Sequence, residues 1–199
     1  LHGNYRPEHL FSLRQGVAQY EFHQQQLAEC DRQILEQLQC FDADDDSGNR
    51  QPPATIAEAL QRMAKVDLAT IDGISTATAL KIIAEIGIDM SPWKTAKQFA
   101  SWLGLCPGTK ISGGKVLNSA TKPVANRAAI ALRMAVLSLL KSKSALGAYY
   151  RRQRSRLGAP KAITATAHKL ARLVYSMLKY GSDYVDMGQE QYEQRYQSR

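Results

Sequence analysis

The residues best suited to covalent chemistry lie in a glycine-rich segment, residues 108–115, with the sequence Gly-Thr-Lys-Ile-Ser-Gly-Gly-Lys. A hydroxyl such as that of Ser112 can attack a phosphodiester, and the neighbouring Lys110 and Lys115 would stabilise charge on the phosphate. The adjacent Gly113 and Gly114 predict a tight turn with a short hairpin around it. The segment lacks the spacing of a nucleotide-binding loop, so ATP is not indicated. The pattern therefore predicts a serine nucleophile, with an ordinary surface turn as the alternative.

Charge is distributed unevenly along the chain. Residues 94–179 contain 17 Lys and Arg and no Asp or Glu, whereas residues 1–93 contain 7 and 14. A stretch without carboxylates has little means of pairing its own cations, so it predicts a polyanionic partner, above all a nucleic acid. Two alternatives stay open: a solvated basic surface, or pairing of that surface with the acidic N-terminal half. Because Mg²⁺ is held by clustered carboxylates, no Mg²⁺ site is expected within residues 94–179.

The basic stretch supplies candidate phosphate contacts on predicted helices. A helix capped by Thr121 is expected to run to about residue 143, with Pro123 in its first turn. The next helix, residues 144–157, carries a dense arginine cluster beside two tyrosines, and an amphipathic helix follows over residues 161–180. The cations predicted to bind nucleic acid on these elements are Lys122, Arg127, Arg151, Arg152 and Arg154.

A second candidate phosphate site precedes the serine segment. Residues 71–80, Ile-Asp-Gly-Ile-Ser-Thr-Ala-Thr-Ala-Leu, have the form of a helix-hairpin-helix. In that motif the hairpin amides and the start of the second helix hold a DNA phosphate without reading its sequence. The pattern gives this role to Gly73, Ile74 and Ser75, with Gly87 ending the second helix. Ser75 stands where the motif usually has a second glycine, and an ordinary αα-hairpin explains the pattern almost as well.

Hydrophobic periodicity predicts a mainly α fold. Residues 9–40 carry a helical stripe that is typical of a coiled-coil arm or of a packed surface helix. Capping boxes predict a helix after Thr55 that runs to about Ala69, and another after Thr95 whose apolar side is core. We expect three regions: a coiled-coil arm and acidic linker in residues 1–50, a helical domain in residues 51–185, and a polar tail in residues 186–199.

The composition favours a reduced, cytoplasmic protein. The three cysteines, Cys30, Cys40 and Cys106, are far apart and lack a Cys-x-x-Cys spacing for zinc or redox chemistry. The longest apolar run is interrupted by Arg133, so no membrane span is expected. The chain begins with Leu1 rather than Met, and we expect it to derive from a longer reading frame.

The collinear order of four short motifs resembles one family of insertion-sequence transposases. These enzymes pair a DEDD-type RNase-H-like domain with a serine-bearing domain, and they are related to the Piv DNA invertase. The motifs are residues 71–79 with Glu85-Ile86-Gly87, residues 99–107, the Ser-Gly-Gly-Lys of residues 112–115, and the Asn-Arg-Ala-Ala of residues 126–129. The resemblance to the C-terminal portion of such enzymes extends over most of the chain.

The resemblance implies a DNA recombinase that cuts and rejoins strands, with Ser112 as its covalent nucleophile. It further implies Mg²⁺ bound by the DEDD carboxylates, a structured guide RNA in related members, and a homo-oligomer formed through the helical arm. This sequence departs from the family pattern at Ser75 and lacks the DEDD domain, so no cofactor is expected in this chain. We therefore expect it to bind DNA or RNA without exchanging strands on its own.

Two other functions stay open. A non-enzymatic DNA- or RNA-binding module, such as the remnant of a decayed element, would use the hairpin and the arginine cluster for backbone contacts alone. A coiled-coil scaffold that docks on an acidic protein is the other, although no aromatic pattern typical of a binding hot spot supports it. Substitution of Ser112 separates enzyme from module, because only a recombinase would lose a covalent protein–DNA product.

Overall fold

The computed structural model describes residues 6–42 and 53–198 and confirms a mainly helical fold. The predicted acidic linker lies almost wholly outside these described residues. The short elements are the antiparallel strands β1 (Lys110–Ser112) and β2 (Lys115–Asn118) and the 3-10 helices η1 (Leu68–Thr70) and η2 (Leu139–Lys141). The α-helices of the described residues are α1 (Pro7–Asp42), α2 (Ile56–Ala64), α3 (Thr76–Ile86), α4 (Ala96–Trp102), α5 (Arg127–Ser138), α6 (Ala145–Leu157), α7 (Ala159–Tyr180) and α8 (Gly188–Gln197).

The chain divides into two compact units, one ending at Ala59 and the other starting at Leu60. The first unit contains α1, which confirms the helix predicted over residues 9–40. Arg32 holds one stretch of this helix by bonding the carboxylate of Glu29 at 2.6 Å and also that of Glu36. Such exposed pairs contribute little to stability, because water and salt screen them. The coiled-coil partner of α1 stays a prediction.

A capping box starts α4 where the sequence predicts it. The Thr95 hydroxyl accepts a hydrogen bond from the Gln98 amide at 3.2 Å, and the Gln98 side chain accepts one from the Lys94 amide at 2.9 Å. Thr55 and Glu58 make the equivalent pair of bonds at the start of α2. These bonds satisfy amides that have no partner inside their helices, so both helices begin at the predicted residues.

The helix that precedes residues 71–75 is shorter than predicted. α2 ends at Ala64 rather than near Ala69, because Lys65 adopts a φ of +57° that an α-helix cannot continue. The 3-10 helix η1 follows, and the Asp67 carboxylate caps it by accepting a hydrogen bond from the Ala69 amide at 2.8 Å. The chain therefore enters residues 71–75 from a 3-10 turn and not from an α-helix.

The prediction that a helix begins at Thr121 is wrong, because the helix begins at Arg127. Thr121 instead forms an isolated β-bridge with Pro107, and residues 119–126 are not helical. α5 begins later because the buried Asn126 side chain caps it, accepting a hydrogen bond from the Ala129 amide at 3.0 Å. The proline expected inside the helix thus lies in the extended segment before it.

α7 is the central helix of the second unit and packs against α4, α5 and α6. Leu170 and Val174 recur on its inner face at helical spacing, and both are fully buried. The ring of Phe99 on α4 is also fully buried, 5.7 Å from the ring of Tyr175 on α7, which confirms the core side predicted for α4. Trp102, predicted on the same side, is 43% exposed.

The segment expected as a polar tail contains α8, which packs against α6. Three polar bonds attach it and the preceding turn: the Gln189 amide donates to the Lys143 carbonyl at 3.1 Å, the Ala145 amide to the Asp186 carboxylate at 3.0 Å, and Arg151 to the Gln189 side chain at 2.7 Å. No residue of α8 is buried. The helix therefore lacks the apolar stripe by which a sequence reveals a packed helix.

Candidate nucleic-acid interface

β1 and β2 form a hairpin that places the serine motif at its tip. Ser112 pairs with Lys115 across a two-residue turn, Gly113-Gly114. Both glycines have positive φ, +56° and +75°, which is the backbone of a type I′ turn. Residues with a side chain rarely adopt that conformation twice in succession, so the glycine pair determines where Ser112 and Lys115 lie relative to each other.

Ser112 is exposed, and its hydroxyl has no hydrogen-bond partner among the described residues. Two apolar side chains on the same hairpin are exposed as well, Ile111 at 65% and Leu117 at 69%. A serine hydroxyl needs a general base or a metal to become a nucleophile. The described part of the chain places neither within hydrogen-bond reach of Ser112.

The stem of the hairpin is held against the turn that follows α4. The Gly108 amide donates to the Ala120 carbonyl at 2.9 Å. Gly104 has a φ of +68°, and a Cβ there would lie 2.7 Å from a methyl carbon of Val124. Only glycine allows this approach, which fixes the segment that carries Lys122. Lys110, whose backbone begins β1, and the exposed Lys122 therefore belong to the two arms of one hairpin stem.

Arg127 follows the stem as the first residue of α5, with an exposed side chain. Its backbone amide donates to the Glu85 carboxylate at 3.4 Å, so the start of α5 lies beside the end of α3. The first turn of α5 contains no acidic residue. A side chain so placed is accessible to a phosphate that approaches the N-terminal end of the helix.

The predicted hairpin of residues 71–75 packs against the opposite end of α5. Gly73 has a φ of +89°, and a Cβ there would lie 2.8 Å from the Ala135 carbonyl oxygen. Ile74 is buried, and the Ser75 hydroxyl caps α3 by accepting a hydrogen bond from the Thr78 amide at 3.3 Å. The phosphate-binding role of Gly73, Ile74 and Ser75 stays a prediction.

The structure separates the two predicted phosphate sites. α3 and α5 run antiparallel, because Glu85 at the end of α3 contacts Arg127 while Gly73 before α3 approaches Ala135. The stretch of α5 between Arg127 and Ala135 corresponds to about 12 Å at the usual helical rise. The hairpin of residues 71–75 and Arg127 thus lie near opposite ends of one helix.

The three predicted arginines of α6 occupy different environments. The Arg151 guanidinium donates to the carbonyls of Leu140 and Ser142, at 3.2 and 2.6 Å, and to Gln189, so it stabilises the junction of η2, α6 and α8. Arg152 lies over the ring of Tyr196 on α8. Arg154 is exposed. Arg154 is therefore the most accessible of the three, whereas three of the five N–H donors of Arg151 already bond to the protein.

Several cationic and aromatic residues near Arg152 are not among the site residues predicted from the sequence. Arg156, Lys169, Arg195 and Tyr192 line one cavity with it, between α6, α7 and α8. The signal was present in α8, where Tyr192, Arg195 and Tyr196 are spaced to share one helical face. It was missed because that segment was not predicted to be helical.

No group of three or more His, Cys, Asp or Glu side chains in the described residues is placed to hold a metal ion. The half-buried His168 on α7 has a pKa below its usual range, because burial disfavours its charged form and Arg172 lies nearby. The described residues therefore do not fit a Mg²⁺ site, and no metal-dependent step is assigned to them.

Comparison with known families gives one match. Residues 67–151 match the family described as Transposase IS116/IS110/IS902. That segment is less than half of the chain, and it includes the hairpin of residues 71–75, the Ser112 hairpin, α5 and the first half of α6. No curated protein matches the chain. The match supports a transposase, a class of protein that acts on DNA.

Two other expectations from the sequence, a nucleic-acid partner and no membrane span, can be compared with the family match and the described helices. A transposase has DNA as its partner, in agreement with the basic stretch that spans much of the matched segment. None of the described helices has both the length and the apolar composition needed to cross a membrane. The match does not test the catalytic serine, the DEDD domain, the guide RNA or the oligomer, which stay predictions.

Proposed function

We propose that this chain is the C-terminal portion of a DNA transposase in which Ser112 is the covalent nucleophile. The observation that carries the proposal is the position of Ser112 at the tip of an exposed hairpin, within the segment that matches the transposase family. A two-residue turn at the end of a short hairpin presents one hydroxyl where an approaching strand can reach it.

The proposed step is a transfer between two phosphate esters. The Ser112 oxygen attacks the phosphorus of a DNA phosphodiester, loses its proton to a base, and forms a phosphoserine ester. The bond from phosphorus to one bridging oxygen breaks, and that oxygen leaves as a DNA hydroxyl after it takes up a proton. Because one phosphate ester replaces another, the reaction conserves the energy needed to rejoin a strand.

The cations around the hairpin are proposed to hold the DNA backbone during this step. Lys115 is the cross-strand neighbour of Ser112, Lys122 lies on the second arm of the stem, and Arg127 begins α5 after it. All three side chains are exposed. Charge-assisted bonds from such groups position a phosphate and stabilise the extra negative charge of the transition state.

Activation of the serine is proposed to come from outside the described residues. We infer a DEDD-type domain, in the same full-length protein, whose carboxylates bind Mg²⁺. That ion would supply Lewis-acid stabilisation of the phosphate when bound. We further propose that α1 forms an oligomer contact, that a structured guide RNA is a second partner, and that this chain alone binds DNA without cleaving it.

The test compares wild-type full-length protein with Ser112→Ala and Ser112→Cys on DNA that carries the ends of its element. The wild type should give a protein–DNA adduct that survives denaturing electrophoresis. Ser112→Ala should abolish the adduct while DNA affinity stays within about twofold, because an exposed hydroxyl contributes little to binding. Lys161→Ala, on α7 and outside the predicted site, is the control and should retain the adduct.

The outcome also separates the enzyme from the binding module. An adduct that persists in Ser112→Ala would show that another residue is the nucleophile. Wild-type protein that binds DNA but never forms an adduct would favour the non-enzymatic module. Mg²⁺-dependent cleavage by the 199-residue chain alone, abolished in Ser112→Ala, would contradict the proposal that activation comes from another domain.

A further inference from the structure

The strongest unexplained feature outside the serine hairpin is a cavity of about 410 Å³ between α6, α7 and α8. This volume lies in the range that binds small molecules, roughly 300–1,000 Å³. Most of the cavity lies beyond the segment that matches the transposase family, which ends within α6 at residue 151. The cavity is therefore a feature distinct from the hairpin that carries Ser112.

Four cations line the cavity, and no carboxylate does. They are Arg152 and Arg156 from α6, Lys169 from α7 and Arg195 from α8. None of these four cations forms an ion pair with a described residue. Four positive charges around one space create a potential that favours an anion.

Lys169 is the most informative of the four. Its ammonium nitrogen lies 4.3 Å from the centre of the Tyr149 ring and 5.6 Å from that of Tyr192. Burial lowers the pKa of Lys169, because the charged form loses hydration that the two rings only partly replace. A bound anion would restore this lost stabilisation, which distinguishes Lys169 from a solvated surface lysine.

Aromatic rings form the rest of the wall. Tyr149 and Tyr192 meet edge to face, with centroids 6.4 Å apart and planes at 86°. Tyr196, 48% exposed, lies beneath the guanidinium of Arg152. A cavity lined by several cations and by flat aromatic rings is complementary to a ligand that carries both an anionic group and a flat ring.

Among the constituents of a nucleic acid, that ligand is a nucleotide whose base is not stacked in a duplex. Bases inside a double helix are stacked on both faces and paired along one edge, so a side-chain cavity cannot enclose one. Unpaired bases stack on aromatic side chains, and their phosphates pair with Arg and Lys. These two preferences match the two halves of the cavity wall.

We propose that the cavity between α6, α7 and α8 binds one unpaired nucleotide of a DNA or RNA strand, with its phosphate on Lys169 and the arginines and its base against the tyrosine rings. The inference rests on nucleic acid as the partner of this chain, as in the proposed function, and does not depend on Ser112. It predicts that the chain prefers single-stranded or locally unpaired nucleic acid at this site.

The test measures fluorescence anisotropy of the 199-residue chain with labelled single-stranded DNA, single-stranded RNA and duplex DNA of one sequence. The variants are Lys169→Met, which keeps the stem of the side chain, and Tyr196→Ala at an exposed position. Each should weaken binding of at least one single strand about tenfold, as expected for a charge-assisted bond or a stacked base. Duplex binding should change less than about twofold, because a duplex does not offer an unstacked base to the cavity.

The matched controls are Lys161→Met, an exposed lysine on the same helix α7, and Tyr180→Ala, an exposed tyrosine at its end. Thermal melts of all variants check that they are folded. The strand type that shows the loss identifies the source of the nucleotide. Losses that are equal in duplex and single strands, or no larger in Lys169→Met than in Lys161→Met, would overturn the inference.

The same data separate this inference from the proposed function. In one outcome, duplex binding is retained and the single-strand affinities do not change in the cavity variants. That result rejects the cavity as a nucleotide site and leaves the proposed function standing. Wild-type chain that binds no nucleic acid at all rejects both. A selective loss in the cavity variants, together with an intact Ser112-dependent adduct in the full-length protein, supports both.

Discussion

Two separate features require a glycine at position 73: its own backbone conformation and the lack of space for a side chain. Its φ of +89° is a conformation that L-residues rarely adopt, and the space for a Cβ is already occupied by the Ala135 carbonyl oxygen, 2.8 Å away. The close contact joins residues 71–75 to α5, so the residue matters for packing whether or not it holds a phosphate. This structural role needs no nucleic acid and can be measured in the free protein.

Gly73→Ala should therefore lower the free energy of unfolding by about 2–4 kcal/mol, through backbone strain and steric overlap together. The matched control is Gly181→Ala at the end of α7. Gly181 has a φ of +62°, and a Cβ there would meet nothing within 4 Å, so strain alone should cost about 1 kcal/mol. Chemical denaturation measures both, and equal losses would show that packing at Gly73 is unimportant.

Asp72 gives a residue-scale prediction with a pH dependence. Burial raises the pKa of the Asp72 carboxyl, the nearby Asp186 raises it further, and a hydrogen bond with Ser144 acts in the opposite direction. A carboxyl whose folded pKa is raised binds its proton more tightly in the folded state. Its charge therefore opposes folding at neutral pH, and that penalty disappears as the pH falls through the folded pKa.

Asp72→Asn should accordingly raise the melting temperature at neutral pH, with a smaller gain at about pH 4, where the wild-type carboxyl is becoming protonated. Thermal melts across this range measure the effect. Ser144 can still bond to an amide oxygen at position 72, so loss of that contact should not obscure the result. A gain that is equal at all pH values would show that the charge of Asp72 is not its cause.

At the scale of elements, the start of α5 decides how the serine hairpin connects to the helical core. The extended segment before α5 forms the second arm of the hairpin stem, and this arrangement requires the helix to begin after Asn126 and not after Thr121. The Asn126 side chain is 5% exposed and holds the Ala129 amide. A single buried cap thus sets the boundary between helix and stem.

Asn126→Ala should lower the free energy of unfolding by about 1 kcal/mol, the usual effect of removing an N-cap. Thr121→Ala should change it by less than about 0.5 kcal/mol, because Thr121 caps nothing and its bridge to Pro107 uses the backbone. Denaturation of the two variants distinguishes the boundaries. A larger loss in Thr121→Ala would favour the helix start predicted from the sequence.

At the scale of the whole molecule, the distribution of charge dominates. The 17 cations of residues 94–179 have no acidic residue in their own stretch of sequence. None of the described cations in this stretch forms an ion pair with a described residue. Binding of a nucleic acid to such a surface releases condensed counterions, so its affinity must depend steeply on salt.

If about six phosphates are neutralised, the logarithm of the association constant should fall with the logarithm of salt at a slope of about −5. Anisotropy titrations at several salt concentrations give this slope. Lys122→Gln and Arg127→Gln should each reduce its magnitude by about one if their side chains contact phosphates. A slope near zero would mean that the basic stretch does not bind a polyanion.

Most helices of this chain could be predicted because their signals are local. The capping pairs at Thr55 and Thr95, the glycine after α3 and the apolar spacing of α7 act within a few residues, and each gives the expected element. The start of α5 was missed because Thr121 and Asn126 are both good caps by type. Their difference lies in the β-bridge to Pro107, a contact that local sequence does not reveal.

The candidate site was predictable only in part, for the same reason. The hairpin tip around Ser112 follows from adjacent residues, whereas the cavity beside Lys169 joins side chains from three helices. α8 has no buried residue and therefore no hydrophobic pattern. Its attachment depends on single polar bonds such as that from Arg151 to Gln189.

The sequence by itself determined the mainly helical fold, the basic character of residues 94–179 and the glycine pair beside Ser112, since these depend on residue type and near neighbours. Only the tertiary structure decided that the hairpin of residues 71–75 and Arg127 lie near opposite ends of α5, and that Arg151 bonds backbone carbonyls while Arg152 lines a cavity. Charge and turn chemistry are additive along a chain, whereas proximity depends on how helices pack, which no single segment specifies.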